Sequence, residues 1–255
     1  MNTNKFCLAF LSIVFSSQLL CETSLYLDLM KKTLTNIIYD KKENIVILED
    51  SNKIWPSQAH TMIGLVGLNN IQYCMEDIIK NNIPGDVIET GAWRGGATIF
   101  MRAILKEYNI TDRTVWVADS FQGLPVPDTK NHPDDPHLEQ YKELAVSLEK
   151  VQDNFSRYDL LDNQVKFLKG WFKDTLPNAP INQLALLRMD GDYYESTMDA
   201  LVNLYPKLSV GGWIIIDDYG CIPACARAVN DYRKMHNITS VIQSAGWTIR
   251  YWQKQ

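Results

Sequence analysis

Neither a basic face nor a zinc or disulfide framework can be assembled from this chain. Its 25 Lys and Arg residues are scattered, no basic run exceeds two, and 30 acidic residues leave a formal charge of -5. Nothing in that balance favours a polyanionic partner, so no nucleic-acid ligand is expected. Cys-x-x-Cys pairs are absent. The five cysteines (Cys7, Cys21, Cys74, Cys221 and Cys225) are odd in number, and Cys221-x-x-x-Cys225 lacks a second ligand pair, so ordinary reduced thiols are expected. Membrane-length apolar runs are missing as well. The apolar stretch over residues 6–15 has the length of a signal-peptide core and is too short for a stable membrane span. Only Lys5 precedes it and no Ala-x-Ala-like site follows, which points to an uncleaved apolar leader over residues 1–24 and a cytoplasmic protein. Internal repeats and low-complexity tracts are also lacking.

What remains is the material of one folded core. With 46% hydrophobic and 22% charged residues, 255 residues bury one full domain and a small appendage. Residues 25–39 read as an amphipathic helix, with Leu25, Leu29, Leu34 and Ile38 broadly at helical spacing. A polar segment runs through Asn52, and a loop over residues 55–62 enters a helix ending near Lys80. Residues 25–82 are therefore expected as a helical N-terminal cap and residues 83–255 as the main domain. There, strands are predicted at residues 87–89, 115–118, 165–169, 184–189 and 213–216, with one or two more around 240–242 and 247–251. Helices are predicted from the first strand's turn to Tyr108, then over residues 138–158, 196–208 and 225–234. Such alternation implies an α/β fold with a doubly wound, mainly parallel sheet. Pro125, Pro127, Pro133 and Pro136 mark a long loop of the kind that often serves as a lid.

In such sheets ligands bind beyond the carboxyl ends of the strands. Four strand ends carry acids: Glu89, Asp119, Asp190 with Asp192, and Asp217 with Asp218. A single strand-end Asp is often only a helix cap or an Asx-turn. Five or six carboxylates round one rim repel one another and need a positive charge among them. A divalent metal is the natural neutraliser, and oxygen ligands without His or Cys point to magnesium or manganese. A hydroxyl brought to such a metal is acidified, and Asp192, two residues past Asp190, is the first candidate for the base that takes its proton. His132 and His137 on the loop are the alternatives.

The turn after the first strand, Glu89-Thr90-Gly91-Ala92-Trp93-Arg94-Gly95, has the Glu-x-Gly-x-x-x-Gly spacing of S-adenosylmethionine (SAM) methyltransferases. Glycines there let the backbone approach a ligand, and the helix N-terminus beyond favours negative charge. Asp119 lies 30 residues after Glu89 at the second strand end, where an acid accepts hydrogen bonds from ribose hydroxyls. Trp171 and Phe172, just after Gly170, stand where an adenine ring would stack, although most aromatics of such a chain belong to its core.

Four motifs occur in order: Glu89-Thr90-Gly91-Ala92-Trp93-Arg94-Gly95-Gly96, Asp119-Ser120-Phe121-Gln122-Gly123-Leu124-Pro125, Asp190-Gly191-Asp192-Tyr193-Tyr194-Glu195-Ser196-Thr197 and Gly211-Gly212-Trp213-Ile214-Ile215-Ile216-Asp217-Asp218-Tyr219. Together with Trp55-Pro56-Ser57-Gln58-Ala59-His60-Thr61-Met62, they resemble the macrocin O-methyltransferase family over roughly residues 25–252. The chain departs from that pattern at Leu65-Val66-Gly67-Leu68-Asn69-Asn70 and in its apolar leader. The resemblance implies a Rossmann-like class I SAM methyltransferase fold and a small hydroxylated, sugar-type substrate. It also implies a magnesium ion on Asp190, Asp217 and Asp218, with Asp192 as general base. The cofactor is then expected against Thr61, Met62, Glu89, Thr90, Gly91, Arg94, Gly95, Asp119, Ser120, Gly170, Trp171, Phe172 and Asp190, with the N-terminal helices helping to cover the substrate. SAM is cytosolic, in keeping with an uncleaved leader, and a homo-oligomer stays open. The rival readings are a catechol or phenylpropanoid O-methyltransferase and a non-catalytic SAM-binding protein.

Overall fold

Consecutive apolar residues of a strand point to opposite faces of its sheet. Val87, Val117, Leu186, Trp213 and Ile215 fall in one buried cluster, while their neighbours Ile88, Trp116, Leu187, Ile214 and Ile216 fall in another. Both faces of the sheet are thus covered, as parallel strands require. The computed structural model describes residues 24–41 and 55–255 of the chain. The apolar leader with Cys7 and Cys21, and most of the polar segment ending at Asn52, lie outside the described residues.

The strands are β1 (Asp86–Thr90), β2 (Val115–Asp119), β3 (Val165–Lys169), β4 (Leu184–Met189), β5 (Leu208–Ile216), β6 (Gln243–Ala245) and β7 (Ile249–Gln253). Their order across the sheet is β3-β2-β1-β4-β5-β7-β6. The first five run parallel, and β7 pairs antiparallel with both β5 and β6. Strand order reverses between β1 and β4, and it is at such a switch point that a crevice opens at the carboxyl edge.

Helices α1 (Leu25–Leu34), α2 (Gly64–Lys80), α3 (Gly96–Glu107) and α4 (Leu148–Arg157) cover one face, and α6 (Tyr194–Leu204) and α7 (Pro223–Met235) the other; α5 (Phe172–Thr175) is a single turn after β3. Leu27, Met30 and Leu34 of α1 and Leu68, Ile71, Met75 and Ile78 of α2 share one core with α3. The N-terminal helices therefore pack into the same layer as α3. No helix among the described residues is long and apolar enough to cross a membrane. Cys74, Cys221 and Cys225 are free thiols.

Several boundaries differ from the sequence reading for local reasons. The first helix stops at Leu34 instead of residue 39, because Asn36 turns left-handed with φ 57°. Of the helix predicted over residues 138–158 only α4 and a short 3-10 turn at Lys142–Leu144 form. Upstream, the Leu138 N–H donates to the Tyr193 hydroxyl at 3.1 Å, and the Glu143 carbonyl accepts the Trp93 indole N–H at 2.8 Å. Those backbone groups are spent on tertiary contacts, and the helix starts only where the Ser147 hydroxyl accepts the Lys150 N–H. The last strands sit two to three residues later than predicted, in the register that buries Ile249 and Trp252. Strand β5 begins at Leu208 rather than 213, its pairing with β4 interrupted by a register shift near Leu184.

Loss of the α4 cap in Ser147→Ala lowers stability by about 1 kcal/mol, measured as a shifted urea midpoint at unchanged slope.

Candidate active site

The turn after β1 is built by its neighbours. Gly91 has φ 88°, and a Cβ there would stand 1.8 Å from the Asp190 carbonyl oxygen. Its absent side chain lets the ends of β1 and β4 approach. At Gly96, the first residue of α3, a Cβ would stand 2.4 Å from the His60 carbonyl oxygen, which instead accepts the Gly96 N–H at 2.9 Å. That contact lays residues 60–62 along the turn. His60 itself is kept neutral: burial, with Arg157 and Arg94 nearby, pushes its pKa down to about 4, and its Nδ1 lies 2.8 Å from the Tyr158 hydroxyl.

Asp119 holds two strand-end loops. Its Oδ2 accepts the N–H groups of Ala92 (2.7 Å) and Trp93 (3.3 Å), and its Oδ1 accepts that of Phe121 at 2.7 Å. Trp93 and Phe121 are bulky residues at φ 48° and 57°, an unfavourable backbone region that Asp119 pays to hold. Burial raises the Asp119 carboxyl, and these N–H bonds draw it back down. A carboxylate has about four acceptor sites, so the acid expected on the ribose spends most of its capacity on the turn while still lining the cavity.

That cavity, of about 210 Å³, opens at the strand ends. Of the residues expected at the cofactor, Met62, Gly91, Asp119, Ser120, Gly170, Trp171, Phe172 and Asp190 line it. Thr61, Glu89, Thr90, Arg94 and Gly95 are not among its walls. Thr61 and Thr90 are buried. Arg94 lies over the Trp93 ring and donates to the carbonyls of Pro56, Ser57 and Ala59 at 3.0, 3.3 and 2.7 Å. It ties the N-terminal segment to the turn.

Sequence reasoning missed Arg188. This β4 residue is 1% exposed, and its guanidinium spans three acids from three neighbouring strand ends. Nη1 donates to Glu89 Oε1 and, at 3.1 Å, to Asp190 Oδ2; Nη2 donates to Asp217 Oδ1. The rim therefore has a resident cation, Arg188, besides any metal it would hold. The signal was a lone arginine inside the apolar run Leu184-Ala185-Leu186-Leu187-Arg188-Met189, since a buried cation demands acidic partners. Burial pushes the Glu89 carboxyl up to about 7, against the pull of Arg188, and its Oε2 has no partner.

One arginine does not balance five carboxylates. Asp190, Asp192 and Asp218 each bring an oxygen within 4.8 Å of the others. Asp218 is 4% exposed, and its Oδ2 accepts the Asp192 N–H at 3.3 Å. Burial, then repulsion from the neighbouring aspartates, holds the Asp190 and Asp218 carboxyls well above the ordinary range. The acids that converge thus include Asp192 where Asp217 was expected; Asp217 has one oxygen on Arg188. Asp192 reaches the group through a left-handed residue, φ 57°, and not along an extended strand.

The long loop closes one side of the cavity with Pro125, Val126, Pro127, Asp128 and Asp135. It is latched to α6 and α7: the Tyr194 N–H donates to Asp135 Oδ1 at 2.9 Å, and Arg227 pairs with Asp134. His132 stacks on the Tyr194 ring with centroids 4.2 Å apart, and His137 pairs with Glu139 at 3.2 Å. Neither histidine lines the cavity.

Comparison with known proteins agrees with this architecture. The family model described as Macrocin-O-methyltransferase (TylF) matches residues 48–254. Mycinamicin III 3''-O-methyltransferase of Micromonospora griseorubida is 52% identical over 245 residues, covering 90% of this chain and 96% of that protein. The 8-demethyl-8-(2,3-dimethoxy-alpha-L-rhamnosyl)-tetracenomycin-C 4'-O-methyltransferase of Streptomyces olivaceus is 51% identical over 241 residues, covering 90% and 92%. The solved structure of the O-methyltransferase NovP superposes with a TM-score of 0.85 at 50% identity, covering 91% of this chain and 99% of that one. A seven-stranded Rossmann-like sheet, a glycine turn with acids at the switch point and half-identical relatives converge on one statement: the chain belongs to the macrocin O-methyltransferase family and is a SAM-dependent O-methyltransferase.

Proposed function

We propose that the acceptor is a hydroxyl of a sugar or other vicinal diol, on a natural product or glycoconjugate, and that transfer requires a divalent cation, magnesium or manganese. One observation carries the metal reading: Asp190, Asp192 and Asp218 converge beside the cavity, and burial with mutual repulsion raises the carboxyls of Asp190 and Asp218. Arg188 reaches Asp190 and Asp217 but no contact joins it to Asp218. Such an all-oxygen donor set fits a hard divalent ion. The sugar reading draws on the rhamnosyl acceptor in the name of the tetracenomycin relative.

Asp190, Asp217 and Asp218 would hold the cation, whose charge acidifies a hydroxyl brought beside it. Asp192 shares the cavity wall with Asp190, whereas Asp217 and Asp218 do not line it. Its carboxylate is therefore the member of the group placed to take a proton from an acceptor in the cavity. Met62, Trp171 and Phe172 bound the space assigned to the nucleoside, and Pro125, Val126 and Pro127 of the long loop form part of the same wall. The close approach of Asp192 to Asp190 and Asp218 favours a second assignment, with Asp192 as third ligand.

Chelation with EDTA abolishes turnover and added magnesium restores it; full activity in metal-free buffer rules out the metal. Because the Asp190 and Asp218 carboxyls are raised, they compete for protons at higher pH than free aspartate, and metal binding releases protons. Calorimetric metal affinity therefore falls as pH is lowered, beginning at higher pH than for ordinary carboxylates, whose pKa is roughly 3.9.

Asp192→Asn separates the two assignments. As base, it keeps SAM and metal binding and loses roughly 10²–10⁴-fold in kcat; as ligand, it loses the metal. Gly91→Ala presses on the Asp190 backbone, so it weakens SAM and metal binding together, which calorimetry of each ligand tests separately.

A further inference from the structure

Arg188 carries an inference that rests on the metal reading above and goes beyond it. Its guanidinium is buried and is not among the walls of the cavity described above. Its contacts nevertheless fall on both halves of the site. One edge grips Glu89, at the end of β1 beside the glycine turn, and Asp190, just past β4. The other nitrogen grips Asp217, just past β5. Burial opposes the arginine's charge, and the three carboxylates overcome it.

Each aspartate is held by one oxygen only: Oδ2 of Asp190 and Oδ1 of Asp217. A carboxylate pinned by one oxygen has a fixed plane, and its other oxygen points in a set direction. Two proposed ligands from different strands are in this way aligned by a single planar fork, which a lysine, being a point charge with freely rotating donors, does not reproduce. The same fork connects them to Glu89, which is not a proposed ligand.

We propose that Arg188 is a positioning residue of the metal site: it orients Asp190 and Asp217 for the cation and couples that orientation to the cofactor strand through Glu89. A group that orients a metal ligand from behind is typically worth about 10–100-fold in metal affinity. A residue that merely satisfies buried charge would instead affect stability and leave metal affinity alone.

The test is calorimetric titration of manganese into wild-type protein and Arg188→Lys, without donor or acceptor, alongside thermal melting and SAM titration. Arg188→Lys keeps the charge, and the inference predicts that its manganese affinity falls by about 10–100-fold while the protein stays folded and still binds SAM. A folded Arg188→Lys protein with wild-type manganese affinity overturns the inference and leaves the metal reading intact. Absence of manganese binding by the wild type overturns the metal reading and this inference with it. Should Arg188→Lys not fold, Glu89→Gln decides, since it loosens the fork and leaves every proposed ligand in place. Weaker manganese binding there supports the inference, and unchanged binding overturns it.

Discussion

The buried guanidinium of Arg188 is the constraint on which the carboxyl edge of the sheet depends. It sits on β4, next to the strand-order switch, and ties acids on or after β1, β4 and β5. A buried ion pair broken by removal of one partner typically costs about 3–5 kcal/mol, so those three strand ends hold their relative positions strongly. The close approach at Gly91 adds a steric constraint at the same place, with the Asp190 backbone packed against the turn. Loop geometry beyond these points follows from fixed anchors.

Charge then organises the cavity. Asp119 spends its carboxylate on the strained turns at Trp93 and Phe121, and Arg188 absorbs part of the charge of Glu89, Asp190 and Asp217. Asp190, Asp192 and Asp218 bring their carboxylates together beside them. Burial raises the carboxyls of Asp190 and Asp218, and the convergence of the three acids beside the cavity is the physical basis for expecting a cation there. Acid groups serve two purposes at this edge: some hold the framework, and a smaller set stays available for chemistry.

Much of this was legible in the chain. Alternating apolar strands and intervening helical periods gave the doubly wound sheet, because burial on both faces leaves a strong pattern. The glycine turn and the Asp190-Gly191-Asp192 and Asp217-Asp218 pairs marked the site. Pairing within the rim was less legible. Asp217 turns to Arg188, a contact between residues 29 apart that no spacing rule encodes. Asp192 joins the cluster through a left-handed backbone, which residue spacing alone does not encode. Arg94 and Asp119 looked like ligand contacts and prove to hold backbone as well, Arg94 the segment at residues 56–59 and Asp119 the turns at Trp93 and Phe121. The stretch before α4 has a helical composition, but Tyr193 and Trp93 claim its backbone groups. Local propensity lost to tertiary hydrogen bonding in each case.

The central claim is that acids arranged around Arg188 hold a divalent cation beside the methyl-donor pocket. Crystals grown with manganese and S-adenosylhomocysteine, with anomalous data collected at the manganese edge, test it most directly. The account predicts one strong anomalous peak contacting Asp190 and Asp218 at the cavity wall, next to the product nucleoside. No peak at saturating manganese, or a peak away from those two carboxylates, contradicts it.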